Sequence, residues 1–130
     1  MSAYARDVTA VPAEPSGWLS VPEVADLLGL RQREVRAMLR DKKLLAVPHG
    51  PNRALSVPAE LLVPADHPDG PGPLPNLRGT LMLLADSGYD DDEAFRWLFT
   101  VEDELGSTPV AALRERRTHA VRRVAQTLAF

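Results

Sequence analysis

The sequence predicts a mainly α-helical protein with a small β-hairpin, built as two units with a linker between them. Three observations carry this expectation. Residues 19–41 hold two short apolar patterns of helical period, separated by a glycine at position 29. Two apolar runs, 44–47 and 54–57, flank "PHGPNR", a stretch dense in turn formers. Residues 64–75, "PADHPDGPGPLP", hold five of the twelve prolines and two glycines. Proline removes a backbone donor and restricts the residue before it, so neither a helix nor a central strand is expected to run through this stretch.

Taken in order, residues 1–16 contain Pro12 and Pro15 with little apolar periodicity and are expected to form a flexible tail. Ser20 can cap a helix, Glu23 three residues on completes a capping box, and Leu19 can staple against Val24. Pro22 is acceptable in the first turn, and Val24, Leu27 and Leu28 are expected to share the buried face. Gly29 supplies a left-handed stop. After Leu30 a second helix runs over about 31–41, followed by the hairpin, whose prolines at 48 and 51 suit the loop. Ser56 and Pro58 then begin a further short helix that ends near Val63. Helix, turn, helix, hairpin, helix is the order of a winged helix-turn-helix, here over residues 17–63.

Residues 64–75 read as a semi-rigid Pro/Gly-rich linker. Residues 76–130 read as a small helical interaction domain. Leu77, Leu81 and Leu84 lie on one face of a helix that stops at Ser87-Gly88, and Asp90 or Asp91 can cap the next, "DDEAFRWLF". Ser107 or Thr108 followed by Pro109 marks another start. Val121, Val124, Ala125 and Leu128 give the last helix its apolar face.

The chain has 130 residues, 45% of them hydrophobic, which suits one domain or two small ones with modest cores. It has no cysteine, so disulfides and thiolate metal sites are excluded. No apolar run approaches the roughly 18 residues that span a bilayer, and "MSAYARDVTAVPAEPSG" lacks a signal-peptide core. A soluble, cytoplasmic, nucleoid-associated protein is expected. The histidines at 49, 67 and 119 are scattered, and there is no phosphate-binding glycine loop and no nucleophile elbow. Neither catalysis nor a metal or other cofactor is expected.

A net charge of −3 hides an uneven distribution. Residues 17–63 carry +2, residues 76–106 carry −6 and residues 107–130 carry +4. The stretch "GLRQREVRAMLRDKK" gathers four arginines and two lysines against Glu34 and Asp41. With Val35 at the origin of a helical wheel, Met38 and Leu39 flank it on the buried side. Arg36, Arg40 and Arg33 fall at about 100°, 140° and 160°, on the outward face. A solvated helix surface would look the same. The position of the helix favours DNA contact over a solvated surface, because the second helix of a glycine-turned pair is the one that enters the DNA major groove. Arginine there can bind guanine O6 and N7 or neutralise phosphates.

The segment "LSVPEVADLLGLRQREVRAMLRDKKLLAVPHGPNRALSVPAELL" resembles the excisionase and MerR-type winged helix-turn-helix. The resemblance covers residues 18–63, and an actinobacterial DNA-binding protein is the nearest description. It implies double-stranded DNA as partner and transcription regulation as role. Arg33, Arg36 and Arg40 then map to the groove side, with Gln32 as a base contact. His49, Asn52 and Arg53 map to the wing tip, an ordinary polar turn being the alternative for the first two. Lys42 and Lys43 map to phosphates. One departure is Arg31, where the family has a capping serine or threonine. A positive charge at the positive end of the helix costs about 1 kcal/mol unless a phosphate lies nearby, so Arg31 fits a phosphate contact.

The stretch "DDEAFRWLFTVEDELGSTPVAALRERRTHAVRRVAQTLA" resembles the C-terminal domain of the Xre/MbcA/ParS antitoxins through Ala94, Trp97, Leu98, Leu105-Gly106, Thr108-Pro109, Leu113 and Val121. This implies protein–protein contact, such as a homodimer through residues 76–130, and leaves an interaction module with little DNA affinity as the alternative function. Arg114, Arg116, Arg117, Arg122 and Arg123 are expected to pair with the acidic runs 90–93 or 102–104, a second DNA contact being the other use. Small actinobacterial winged-helix regulators that resemble this chain can be substrates of Ser/Thr protein kinases, with Thr9 in the tail as the candidate for phosphorylation.

Overall fold

The computed structural model describes residues 13–128. Strand β1, Trp18–Ser20, leads into helix α1, Val21–Leu28. Ser20 Oγ accepts from the Glu23 amide at 3.2 Å and Glu23 Oε1 accepts from the Ser20 amide at 2.7 Å, so the capping box closes as expected. Such a cap contributes about 1 kcal/mol. Gly29 ends the helix at φ 69°, a conformation that a side chain would strain. The buried face of α1 is Val21, Val24 and Ala25, with Leu28 packed against the core. Leu27, expected inside, is 42% exposed: the helix is turned so that the 21/24/25/28 row faces inward.

Helix α2, Gln32–Arg40, packs on α1 through Val35, which is fully buried, with Met38 and Leu39 half-buried beside it. The chain then passes through buried Leu44, Leu45 and Ala46 to β2, Val47–His49, which pairs antiparallel with β3, Ala54–Pro58. The hairpin therefore starts three residues later than expected. Ladder pairing ends at Val47↔Ser56; a longer β2 would face Pro58, which has no N–H to give. The other edge of β3 pairs with β1, from Ser20↔Ser56 to Trp18↔Pro58, giving a three-stranded sheet in the order β1-β3-β2.

The expected helix after Pro58 is only a single 3-10 turn, Ala59–Leu61. Leu61, Leu62 and Val63 are all buried, and three consecutive buried side chains do not fit one helical face. Leu62–Val63 instead forms β4, which pairs antiparallel with β5, Gly72–Pro73. Within residues 64–75, β5 thus lies against the first unit, and Leu74 is buried with its amide donating to the Leu61 carbonyl at 2.8 Å.

Four helices follow: α3, Leu77–Asp86; α4, Asp91–Leu98; α5, Pro109–Arg114; and α6, Thr118–Thr127. Asp90 caps α4 with a full capping box to Glu93, and Thr108 caps α5. Helix α3 packs on α6, α5 on α6, and α4 on both α3 and β2. One continuous cluster of buried residues runs from Val21 and Val35 through Leu61, Leu74, Leu77 and Leu98 to Val121 and Val124.

Candidate nucleic-acid interface

Helix α2 presents Arg31, Gln32, Arg33, Arg36 and Arg40 to solvent. Arg31 is the N-cap, and a guanidinium has no acceptor to offer the first-turn amides. Glu34 supplies the reciprocal half of the cap by accepting from the Arg31 amide at 2.8 Å. The other first-turn donors stay unmet by any side-chain cap, and they sit beside a guanidinium. That is a suitable place for a phosphate oxygen.

The far end of α2 is held more tightly. The Lys43 amide donates to the Met38 carbonyl at 2.9 Å and the Lys42 amide to Leu39 at 3.3 Å, a Schellman closure with Lys42 at φ 62°. A left-handed lysine costs about 1 kcal/mol relative to glycine. Two side chains of the second half brace this corner. Arg78 Nε donates to the Asp41 carbonyl at 3.2 Å, and Lys42 Nζ lies 3.3 Å from Asp91 Oδ1. Lys42, expected at a phosphate, is thus half-buried and paired, whereas Lys43 is exposed. Arg78 was not among the expected residues. Nothing in "NLRGT" distinguishes it from any first-turn arginine, since its partner lies 37 residues away.

At the wing tip, the Arg53 amide donates to the Gly50 carbonyl at 3.1 Å and Asn52 Oδ1 accepts from the Ala54 amide at 3.3 Å. Asn52 is therefore used in building the turn. Arg53 adopts φ 56° with its side chain exposed. His49 stacks on Trp18, ring centroids 3.9 Å apart and planes 12° from parallel. Trp18 in turn meets Phe95 at 5.5 Å, and Phe95 meets Phe99 at 5.0 Å. An aromatic row thus fixes the wing to α4, and His49 serves that row.

The basic residues of the last two helices do not meet the acidic runs as expected. Arg114 Nη1 donates to the carbonyls of Glu60 (2.8 Å) and Leu62 (3.3 Å), Arg116 pairs with Asp69 at 3.1 Å, and Arg117 lies 3.8 Å from Glu115. Their partners are backbone carbonyls of the first half, the Asp69 carboxylate and the neighbouring Glu115. Among the described residues no group of three or more His, Asp or Glu side chains is placed to hold a metal ion, and no helix is long and apolar enough to cross a membrane.

Comparison with known proteins bears on both halves. Residues 4–62 match the family model described as "DNA-binding protein Rv2175c, wHTH domain", and residues 74–129 match "Rv2175c C-terminal domain of unknown function". The DNA-binding protein Rv2175c of Mycobacterium tuberculosis is 34% identical over 139 residues, covering 97% of this chain and 88% of the relative. The chain belongs to the Rv2175c family. Its fold agrees with the NMR structure of Rv2175c, with a TM-score of 0.77 and 29% identity across 91% of this chain and 85% of that one. The family description assigns the first half a winged helix-turn-helix of a DNA-binding protein, and α2 and the β2–β3 hairpin are its second helix and wing here.

Proposed function

We propose that the chain is a transcriptional regulator that holds double-stranded DNA with α2 in the major groove and the wing on the flanking backbone. The observation that carries this reading is the exposed arginine face of a helix whose C-terminal end is clamped by Arg78 and Lys42–Asp91. Preorganisation of that kind lowers the ordering cost of binding. Gln32, Arg33, Arg36 and Arg40 take the groove, Arg31 and Lys43 the phosphates, and Arg53 the strand beneath the wing. Lys42 joins them only on leaving Asp91. One such module makes few contacts, so a homodimer through residues 76–130 on paired half-sites supplies the rest. The protein acts without catalysis and without a cofactor, in the cytoplasm on the nucleoid.

The test is duplex binding across a salt series. Affinity falls with a log–log slope of about 0.9 per phosphate neutralised, and Arg33→Ala/Arg36→Ala lowers affinity about a hundredfold or more. Duplex affinity that is absent at low salt, or unchanged in the double variant, contradicts the reading. It would favour the alternative, a protein-interaction module. The feature supporting that alternative is a shallow hollow at Tyr89, Arg96 and Trp97, where the indole Nε1 is buried without an acceptor among the described residues.

Thr9 lies outside the described residues, so its modification rests on its place in the sequence. The Ala13 amide bonds to the Phe99 carbonyl, at the end of the aromatic row that leads to the wing. Thr9 precedes Ala13 by four residues in the sequence. A Ser/Thr kinase would add roughly −2 charge there and repel the duplex. Thr9→Glu is expected to bind DNA several-fold more weakly than the parent; equal affinity removes this switch.

A further inference from the structure

A cleft of about 460 Å³ opens on the second half of the molecule, between the Pro/Gly-rich segment and the start of α6. Arg114, Arg116, Arg122, His67 and His119 line it, with Asp69 as its one carboxylate. Its floor is apolar, formed by Leu74 and Leu113, both buried. The size is that of a small-molecule site rather than of a flat docking face.

The state of the three arginines differs. Arg114 spends Nη1 on two carbonyls, and Arg116 holds Asp69 at 3.1 Å. Arg122 makes no hydrogen bond or ion pair among the described residues, although its guanidinium packs against Gly79 of α3. The α3 backbone sits so close there that a Cβ at position 79 would come within 3.0 Å of Arg122 Nη2. The exposed guanidinium thus lies beside the α3 backbone at Gly79 with its charge unmatched among the described residues. Asn76 Nδ2 donates to Thr118 Oγ1 at 3.1 Å, tying the two walls together. Asn76 at φ 69° and Arg116 at φ 64° are left-handed residues other than glycine, and both line the cleft. Such residues persist only where their surroundings hold them.

Three guanidiniums against one carboxylate leave two positive charges uncompensated. A carboxylate ligand would neutralise one of them, whereas a phosphate monoester carries about −1.5 to −2 and offers three acceptor oxygens to planar N–H forks. An apolar floor beneath suits an organic body on that phosphate. We propose that this cleft binds a small organic phosphate monoester, with Arg122 and Arg116 on the phosphate and Leu74 and Leu113 under the organic part. The site is separate from the α2 arginines. Arg114 ties its wall to the carbonyls of Glu60 and Leu62 in the winged half.

The experiment is a titration of the full chain with phenyl phosphate, followed in ¹⁵N–¹H spectra at ionic strength held constant with sodium chloride. Saturable shifts are expected at the amides of 74, 76 and 118–122, with a dissociation constant in the millimolar range or below. Arg122→Ala weakens binding about tenfold, as loss of a charged hydrogen-bond donor does. Asp69→Asn, which removes the competing carboxylate, tightens it. Arg33→Ala/Arg36→Ala leaves it unchanged, so this site stands or falls independently of the DNA reading. Shifts that never saturate, that appear equally with chloride, or that centre on residues 31–43 overturn the proposal. So does an Arg122→Ala chain that binds as the parent does.

Discussion

The arginines of the two halves differ in what they touch. On α2 and the wing, Arg31, Arg33, Arg36, Arg40 and Arg53 are exposed, and their guanidiniums make no hydrogen bond or ion pair among the described residues. In the second half, Arg78 and Arg114 reach back to backbone carbonyls of the first, while Arg116 and Arg117 have carboxylates. The same side chain is a free cation in the first region and, at these four positions, a tie in the second, where Arg122 is an exception that faces the cleft. Composition counts both alike, so the charge of a segment says little about its use until partners are known.

This contrast can be broken or sharpened by substitution. The largest effect is expected at the seam. Leu74→Ala removes a buried side chain from the cluster shared by both halves and should cost about 2–5 kcal/mol in denaturant unfolding, as one transition for the whole chain. Two separate transitions would mean that the halves are not one cooperative body.

A double dissociation comes next. Arg114→Ala loses its bonds to the Glu60 and Leu62 carbonyls and should lower stability by about 1–2 kcal/mol, with duplex affinity within about twofold. Arg36→Ala should do the reverse, changing stability by less than about 0.5 kcal/mol while weakening DNA binding. Asp91→Asn frees Lys42 from an exposed pair, so a stability change under about 1 kcal/mol is expected, with a rise of a few-fold in affinity for DNA at low salt.

The smallest effect concerns Glu102. Burial, then the neighbouring charges of Glu104 and Asp103, raise its carboxyl above the ordinary 4.5. A raised carboxyl means that the folded state binds the proton more tightly than the unfolded state. Its charge therefore weakens the fold at neutral pH, and this penalty fades as pH falls through the folded value to below 4.5. Glu102→Gln should raise the melting temperature at pH 7, and the difference should shrink as the pH falls toward 4.5.

The features legible in the sequence are those set by neighbours along the chain. The Ser20–Glu23 box, the left-handed Gly29, the Asp90 cap, the Thr108-Pro109 start and the outward arginines of α2 each need only a few consecutive residues. The features that were not legible depend on distant partners. Strand β1 is three residues long and exists because β3 has a free edge. The pairing of β4 with β5 rests on a proline-rich segment folding back. The stack of the wing-tip residue His49 on Trp18, 31 positions earlier, has no local signature. Arg78 could not be foreseen, because a carbonyl acceptor carries no sequence signature.

The central claim, that guanidiniums left without partners on α2 are the ones that hold DNA, is tested most directly by arginine Nε–Hε NMR signals during addition of a duplex. Signals of Arg33, Arg36 and Arg40 should shift and saturate, while those of Arg114, Arg116 and Arg117 stay in place. Movement of the second set with the α2 signals unchanged would contradict the account.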